Sequence, residues 1–191
     1  ERGPVTIRKA LAGSLNIPAV KALYLTGVQN AIDFIQKLGY TTFTDRSRYG
    51  LSLVLGGVEV KPLEHAAAFA SIAADGVYRT PYAIMKVEDA TGAVLDSYEP
   101  DQGVRVMQEE TARNIASIMS DNDARAYIFG AHNSLTLPDR PVAAKTGTTN
   151  DFRDAWAVGY TPDLVAVVWT GNNDNREMHR GADGSQIAAR S

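Results

Sequence analysis

Val142-Ala143-Ala144-Lys145-Thr146-Gly147-Thr148, then Asp154-Ala155-Trp156-Ala157-Val158-Gly159-Tyr160, then Leu164-Val165-Ala166-Val167-Val168-Trp169-Thr170, is the stretch that decides the fold of this 191-residue chain. The three runs are short and bounded by turn residues, and the last two are rich in valine and aromatic side chains, so each reads as a strand. Thr161-Pro162-Asp163 is a tight turn, which makes the last two runs antiparallel neighbours. The first run ends in Lys145-Thr146-Gly147-Thr148-Thr149, which places a lysine, a glycine and hydroxyls at a strand tip.

The chain ahead of these strands is mostly helical in pattern. Thr6 to Gly13 reads as a short helix with Ile7, Ala10 and Leu11 on one face and Thr6 as its cap. Ser14-Leu15-Asn16 interrupts it. Pro18 suits the first turn of a second helix, running to about Leu25 and closed by Gly27. A third spans about Val28 to Leu38, where Ala31, Ile32, Ile35 and Leu38 share a face and Gly39 ends it. Leu51 to Val60, broken by Gly56-Gly57, reads as a loop or bend. Pro62 opens an alanine-rich helix from Leu63 to Ala74, closed by Asp75-Gly76. Tyr82 to Glu88 and Ala93 to Tyr98 read as a hairpin turned at Asp89-Ala90-Thr91-Gly92, and Gln108 to Ser120 reads as another helix. Helices followed by a meander of strands predict an α+β architecture.

Composition narrows the function classes. At 45% hydrophobic and 21% charged residues, the chain has enough apolar content to fold around a core. Its net charge of -3, with no basic run, argues against a nucleic-acid surface. The absence of cysteine excludes disulfides, thiolate catalysis and Cys-ligated metals. No apolar run reaches the ~18 residues of a membrane span, and no signal-peptide pattern is present. The chain opens on Glu1 and stops at Ser191 without termination chemistry, so both ends read as cut.

His65, His132 and His179 have no metal-ligand spacing, and no cofactor is expected. There is no Gly-x-Ser-x-Gly elbow and no phosphate-binding glycine loop. Ser14-Leu15-Asn16 is either a turn between helices or a hydroxyl and an amide projecting into a cleft. Lys145-Thr146-Gly147-Thr148-Thr149 is either a polar strand end or an anion site. In the second reading Lys145 supplies positive potential, Gly147 admits a substrate backbone, and the threonine hydroxyls bind a carboxylate. Strand alternation puts Lys145, Gly147 and Thr149 on one face and Thr146 and Thr148 on the other. All of them serve one site only if that site wraps an edge strand. Asp151, Arg153 and Asp154 read as a solvated turn or as an Arg-Asp brace for the loop.

A Ser-x-Asn motif followed by Lys-Thr-Gly is the order found in penicillin-binding proteins and serine β-lactamases. The flanking text is closer still. The run from Val5 to Val20 (VTIRKALAGSLNIPAV) resembles class A penicillin-binding proteins at the middle motif. Gly56 to Glu64 (GGVEVKPLE) resembles their next helix entry. Val142 to Thr149, Phe152 to Trp156, Gly159 to Pro162, Asp174-Asn175 and Gly181 to Ser185 resemble their closing strands. The resemblance implies an antiparallel sheet with helices on both faces, β-lactamase/transpeptidase-like and truncated. It also implies acyl transfer by a nucleophilic serine that crosslinks peptidoglycan stem peptides ending in D-Ala-D-Ala, with β-lactam antibiotics as mimics. On that resemblance Ser14 relays a proton, Asn16 holds substrate, Lys145 keeps the cleft electropositive, and Thr146 and Thr148 bind the carboxylate beside Gly147 and Thr149. The Thr148 N–H is then half of an oxyanion hole. The implied compartment is the extracytoplasmic face of the bacterial cytoplasmic membrane.

The family's nucleophile lies in Ser-x-x-Lys, one helical turn ahead of its lysine. Lys9, Lys21, Lys37, Lys61, Lys86 and Lys145 follow Thr6, Pro18, Phe34, Val58, Ala83 and Val142 at that spacing, and none of these is serine. Residues 1–191 are therefore expected to be a partial transpeptidase domain, with the nucleophile, glycosyltransferase domain and membrane anchor upstream. The piece alone is expected to be inactive, to leave penicillin unbound covalently, and to self-associate through apolar surface the missing helix would cover. The alternatives are a serine β-lactamase and a non-catalytic β-lactam-sensing module.

Overall fold

A computed structural model describes residues 3–179 and 181–190; Glu1 and Ser191, the ends read as cut, lie outside the described residues. Helix α1 spans Ile7–Ala12, and the Thr6 hydroxyl caps it by accepting from the Lys9 N–H at 3.2 Å. Helix α2 spans Asn16–Thr26 and α3 spans Val28–Lys37. Between them Gly27 takes a left-handed φ of 86°, which lets one helix follow the other directly. Helix α2 starts at Asn16, which puts Pro18 in its first turn as expected. The first N–H groups of a helix have no partner in any case, so a proline two residues inside the start costs no hydrogen bond.

Leu51–Leu55 winds into a 3₁₀ turn where a loop was expected, and α4 follows at Pro62–Ala73 with proline in its first turn. Asp75 (φ 54°) and Gly76 (φ 89°) end α4. Strand β1 (Val77–Tyr78) pairs antiparallel with β4 (Val104–Arg105). Strands β2 (Lys86–Glu88) and β3 (Val94–Ser97) form the expected hairpin, shorter than the pattern suggested. Its turn is held by the Asp89 carboxylate, which accepts from the Thr91 and Ala93 N–H groups at 2.8 and 3.0 Å. Helix α5 spans Glu109–Met119. Helix α6, Asn122–Phe129, has no counterpart in the sequence reading.

The closing sheet has the order β5-β6-β7: Ala143–Thr148, Asp154–Tyr160 and Val165–Gly171, all antiparallel. Among the described residues β5 is an edge strand. Ala143, Val158 and Tyr160 face one way and pack with Met119, Phe69, Ile72 and Ile115 from α4 and α5. Ala155 and Ala157 face the other way and are covered by Met178, Ala188 and Ala189 of the closing segment. These alanines are small enough for that segment to lie close on the sheet. The architecture is α+β, with long helices on one face and the 3₁₀ turn Ala188–Arg190 on the other.

Candidate active site

Ser14 sits just beyond α1, in the left-handed region at φ 54°. A non-glycine residue in that region is held there by its surroundings at a cost of about 1 kcal/mol. The surroundings are explicit. The Ser14 N–H donates to the Leu11 carbonyl at 3.1 Å, and the Leu15 N–H donates to the Ala10 carbonyl at 2.9 Å. Helix α1 is tied to α5 and α6 by Arg8, whose guanidinium meets Asp121 at 3.0 Å and the Ser117 hydroxyl at 3.1 Å. The Tyr127 hydroxyl of α6 donates to the Lys9 carbonyl at 2.8 Å.

Lys145 lies on the helix-facing side of β5, in register with Val158. Its ammonium donates to the Ser14 hydroxyl at 2.6 Å and to the Thr146 carbonyl at 2.6 Å. Burial, aided by the positive charge of Arg125, pushes the Lys145 amine down to about 8 from its ordinary 10.5. Arg125, on α6, is fully buried and donates to the carbonyls of Met119 and Leu135. Sequence reading passed over it because the helix that carries it went unrecognised. The signals available were Asp121, which caps α6 by accepting from the Ala124 N–H at 2.8 Å, and Gly130 at its other end.

Ser14, Asn16, Lys145, Thr146, Gly147, Thr148 and Thr149 all border one cavity of about 1340 Å³. Asn16 enters from the first residue of α2. The alternation predicted along β5 holds, and its edge position lets residues of both faces border the same space. At Gly147 the nearest heavy atom to an added side chain would be the Trp156 Cβ at 3.5 Å, an ordinary contact. The fold itself therefore tolerates a methyl there, and the missing side chain leaves the strand surface open.

The expected Arg-Asp brace of the loop after β5 is made by Arg153 with Asp151, their charged groups 4.0 Å apart. Arg153 and Asp154 do not pair, because neighbours entering a strand point to opposite sides. Arg153 reaches the Asn175 carbonyl at 2.5 Å and Glu177 at 3.3 Å. Asp154 instead accepts from the Thr149 hydroxyl at 3.0 Å and from the Trp169 indole N–H at 2.9 Å. Its own N–H donates back to the Thr149 hydroxyl at 2.8 Å. On the far side of β5, the Gly184 N–H donates to the Thr148 hydroxyl at 3.0 Å.

His65 also borders the cavity, its Nδ1 2.6 Å from the Tyr40 hydroxyl and its ring against Phe69 and Trp156. Burial lowers its proton affinity and raises the Tyr40 pKa. Among the described residues no three His, Asp or Glu side chains converge as a metal site would require.

The penicillin binding protein transpeptidase domain family model matches residues 1–190. Penicillin-binding protein 1A of Aquifex aeolicus is 35% identical over 189 residues, covering 98% of this chain and 25% of that protein. Penicillin-binding protein 1A/1B of Bacillus subtilis is 33% identical, covering 91% of this chain and 20% of that protein. The chain thus spans a quarter or less of the length of these relatives. Among solved structures, penicillin-binding protein 1A from Haemophilus influenzae superposes with a TM-score of 0.82 at 27% identity, over 95% of this chain and 32% of that one. PonA1 from Mycobacterium tuberculosis, solved in complex with penicillin V, gives 0.81 at 29% identity, over 96% of this chain and 53% of that one. By sequence along nearly its whole length and by fold, the chain belongs to the penicillin-binding protein transpeptidase domain family.

Proposed function

We propose that this chain is the C-terminal part of a serine-type D,D-transpeptidase domain that crosslinks peptidoglycan stem peptides and binds β-lactams. The observation that carries the reading is the hydrogen bond from Lys145 to Ser14, which joins the Ser-x-Asn and Lys-Thr-Gly motifs at one cavity. The nucleophilic serine comes from an upstream Ser-x-x-Lys helix. The cavity lining includes Leu11, Leu15, Leu23, Val54 and Phe69, apolar surface that such a helix would cover. The parent protein works on the extracytoplasmic side of the membrane, anchored by upstream sequence.

In this reaction the upstream serine attacks the penultimate carbonyl of a D-Ala-D-Ala stem, and its proton passes to the upstream lysine. The carbonyl oxygen becomes an oxyanion, held in part by the Thr148 N–H; such a donor contributes about 3 kcal/mol to the transition state. Because Lys145 donates to the Ser14 oxygen, the Ser14 proton points elsewhere and is available to the leaving amine. Asn16 holds the substrate backbone, and Gly147 admits it closely against β5. Lys145 and the hydroxyls of Thr146 and Thr148 receive the terminal carboxylate. D-alanine leaves, and an amine of a neighbouring stem attacks the acyl ester to restore the serine. A β-lactam enters the same path, and its opened ring stays attached.

Fluorescent penicillin tests the reading. The full-length protein should carry a label that survives a denaturing gel, and the 191-residue chain should carry none. A labelled 191-residue chain contradicts the assignment of the nucleophile to an upstream helix. An unlabelled full-length protein contradicts the function.

A further inference from the structure

We propose that Gly184, in the closing segment behind β5, is a positioning residue that aims the Thr148 hydroxyl proton at the substrate carboxylate. This rests on the transpeptidase reading above and assigns a task to a stretch which that reading leaves idle.

A hydroxyl has one proton to give and two lone pairs to fill. The Gly184 N–H fills one lone pair of Thr148 from 3.0 Å. Thr148 is exposed and borders the cavity, whereas Gly184 is buried on the other side of the strand. The proton of Thr148 is therefore turned away from Gly184 and toward the cavity, and accepting one hydrogen bond makes the hydroxyl a better donor of the next.

Thr149 provides the contrast. Its hydroxyl gives its proton to the Asp154 carboxylate and receives the Asp154 N–H. It has no proton left for an anion. Of these two adjacent threonines, only Thr148 is set as a donor.

Position 184 demands glycine. A side chain there would overlap the Trp156 carbonyl and sit 2.6 Å from the Gly147 carbonyl oxygen and 3.0 Å from the Thr146 Cβ. Without a side chain, the backbone N–H can approach the strand. The turn that presents it is fixed by Asp183, whose carboxylate accepts from the Ser185 N–H at 2.8 Å, the Ser185 hydroxyl at 2.6 Å and the Gln186 N–H at 2.9 Å. Ala188 and Ala189 then pack on Ala155 and Ala157 and hold the segment against the sheet.

The test compares acylation of the full-length protein by benzylpenicillin and by its methyl ester, which lacks the carboxylate charge. Thr148→Val should slow the acid on the order of tenfold and the ester much less. Gly184→Ala and Asp183→Ala should shift the acid-to-ester ratio in the same direction. The Thr148→Val/Asp183→Ala double variant should be no slower with the acid than Thr148→Val alone. If Gly184→Ala lowers the melting temperature so far that folding is in question, Asp183→Ala, which adds no bulk, decides. An unchanged ratio in Thr148→Val overturns the carboxylate site itself. A changed ratio there, with an unchanged ratio in Asp183→Ala or additive slowing in the double variant, overturns the role of Gly184 alone.

Discussion

The ammonium of Lys145 reaches across 131 residues of sequence to donate to the hydroxyl of Ser14 at 2.6 Å. One partner stands on an edge strand and the other on the strained exit of a short helix, and each belongs to a motif that is ambiguous alone. The contact has consequences for stability, for pH and for the elements that hold the two residues together.

Burying the Lys145 charge opposes folding. Its pKa falls to about 8 in the folded chain, against 10.5 when exposed. Below pH 8 both states are protonated and the folded state bears the whole cost. Between pH 8 and 10.5 the unfolded chain holds the extra proton, so stability rises with pH. Lys145→Met should therefore stabilise the chain by about 1–2 kcal/mol at pH 7, after loss of two hydrogen bonds, and the gain should shrink toward pH 10. Urea unfolding of both forms across that range measures it, and a gap independent of pH contradicts it.

Asp154 links the loop after β5 to β7 through Thr149 and Trp169. Asp154→Ala should cost about 1–3 kcal/mol, because it strands two donors that had a carboxylate. It should also change the Trp169 fluorescence. Asp154→Asn keeps one acceptor oxygen and should fall between. Equal stability of all three forms would argue that the brace is incidental.

Arg8 lies outside the cavity lining and holds α1 to α5 and α6. An exposed ion pair contributes little, so Arg8→Ala should lower stability by less than about 1 kcal/mol. Ser14 follows directly from α1, so acylation by penicillin should slow several-fold in the full-length protein. Loss of stability and activity in proportion would show that Arg8 does nothing specific for Ser14.

The 191-residue chain leaves large apolar side chains uncovered: Ile7 is 81% exposed, Ile17 80%, Leu25 73% and Leu63 65%. Light scattering of the isolated chain should show mass rising with concentration, accompanied by binding of an apolar-sensitive dye. A monomer without dye binding would contradict this.

Much of the frame was legible in the sequence. The strand Asp154–Tyr160 and its turn into the next strand follow from local pattern, and Thr6, Gly27, Pro62 and Asp75-Gly76 mark helix ends through their own backbone chemistry. The pair β1 and β4 was not legible, because two-residue strands carry no periodicity and meet only when the chain has folded. Helix α6 was missed because a short helix that buries Arg125 breaks the apolar pattern that marks a core face. The candidate site was legible as two motifs, whose residues border one cavity. Its internal division was not, since the hydroxyl of Thr149 is committed by Asp154 and that of Thr148 is engaged by Gly184, 36 residues away. Such assignments depend on tertiary approach.

A double-mutant cycle on penicillin acylation of the full-length protein bears most directly on the pairing of Ser14 with Lys145. Ser14→Ala and Lys145→Met should each slow acylation by on the order of a hundredfold or more, and the double variant should be little slower than either alone, because members of one unit are not additive. Fully additive losses, or no loss from either single change, would contradict a shared catalytic unit.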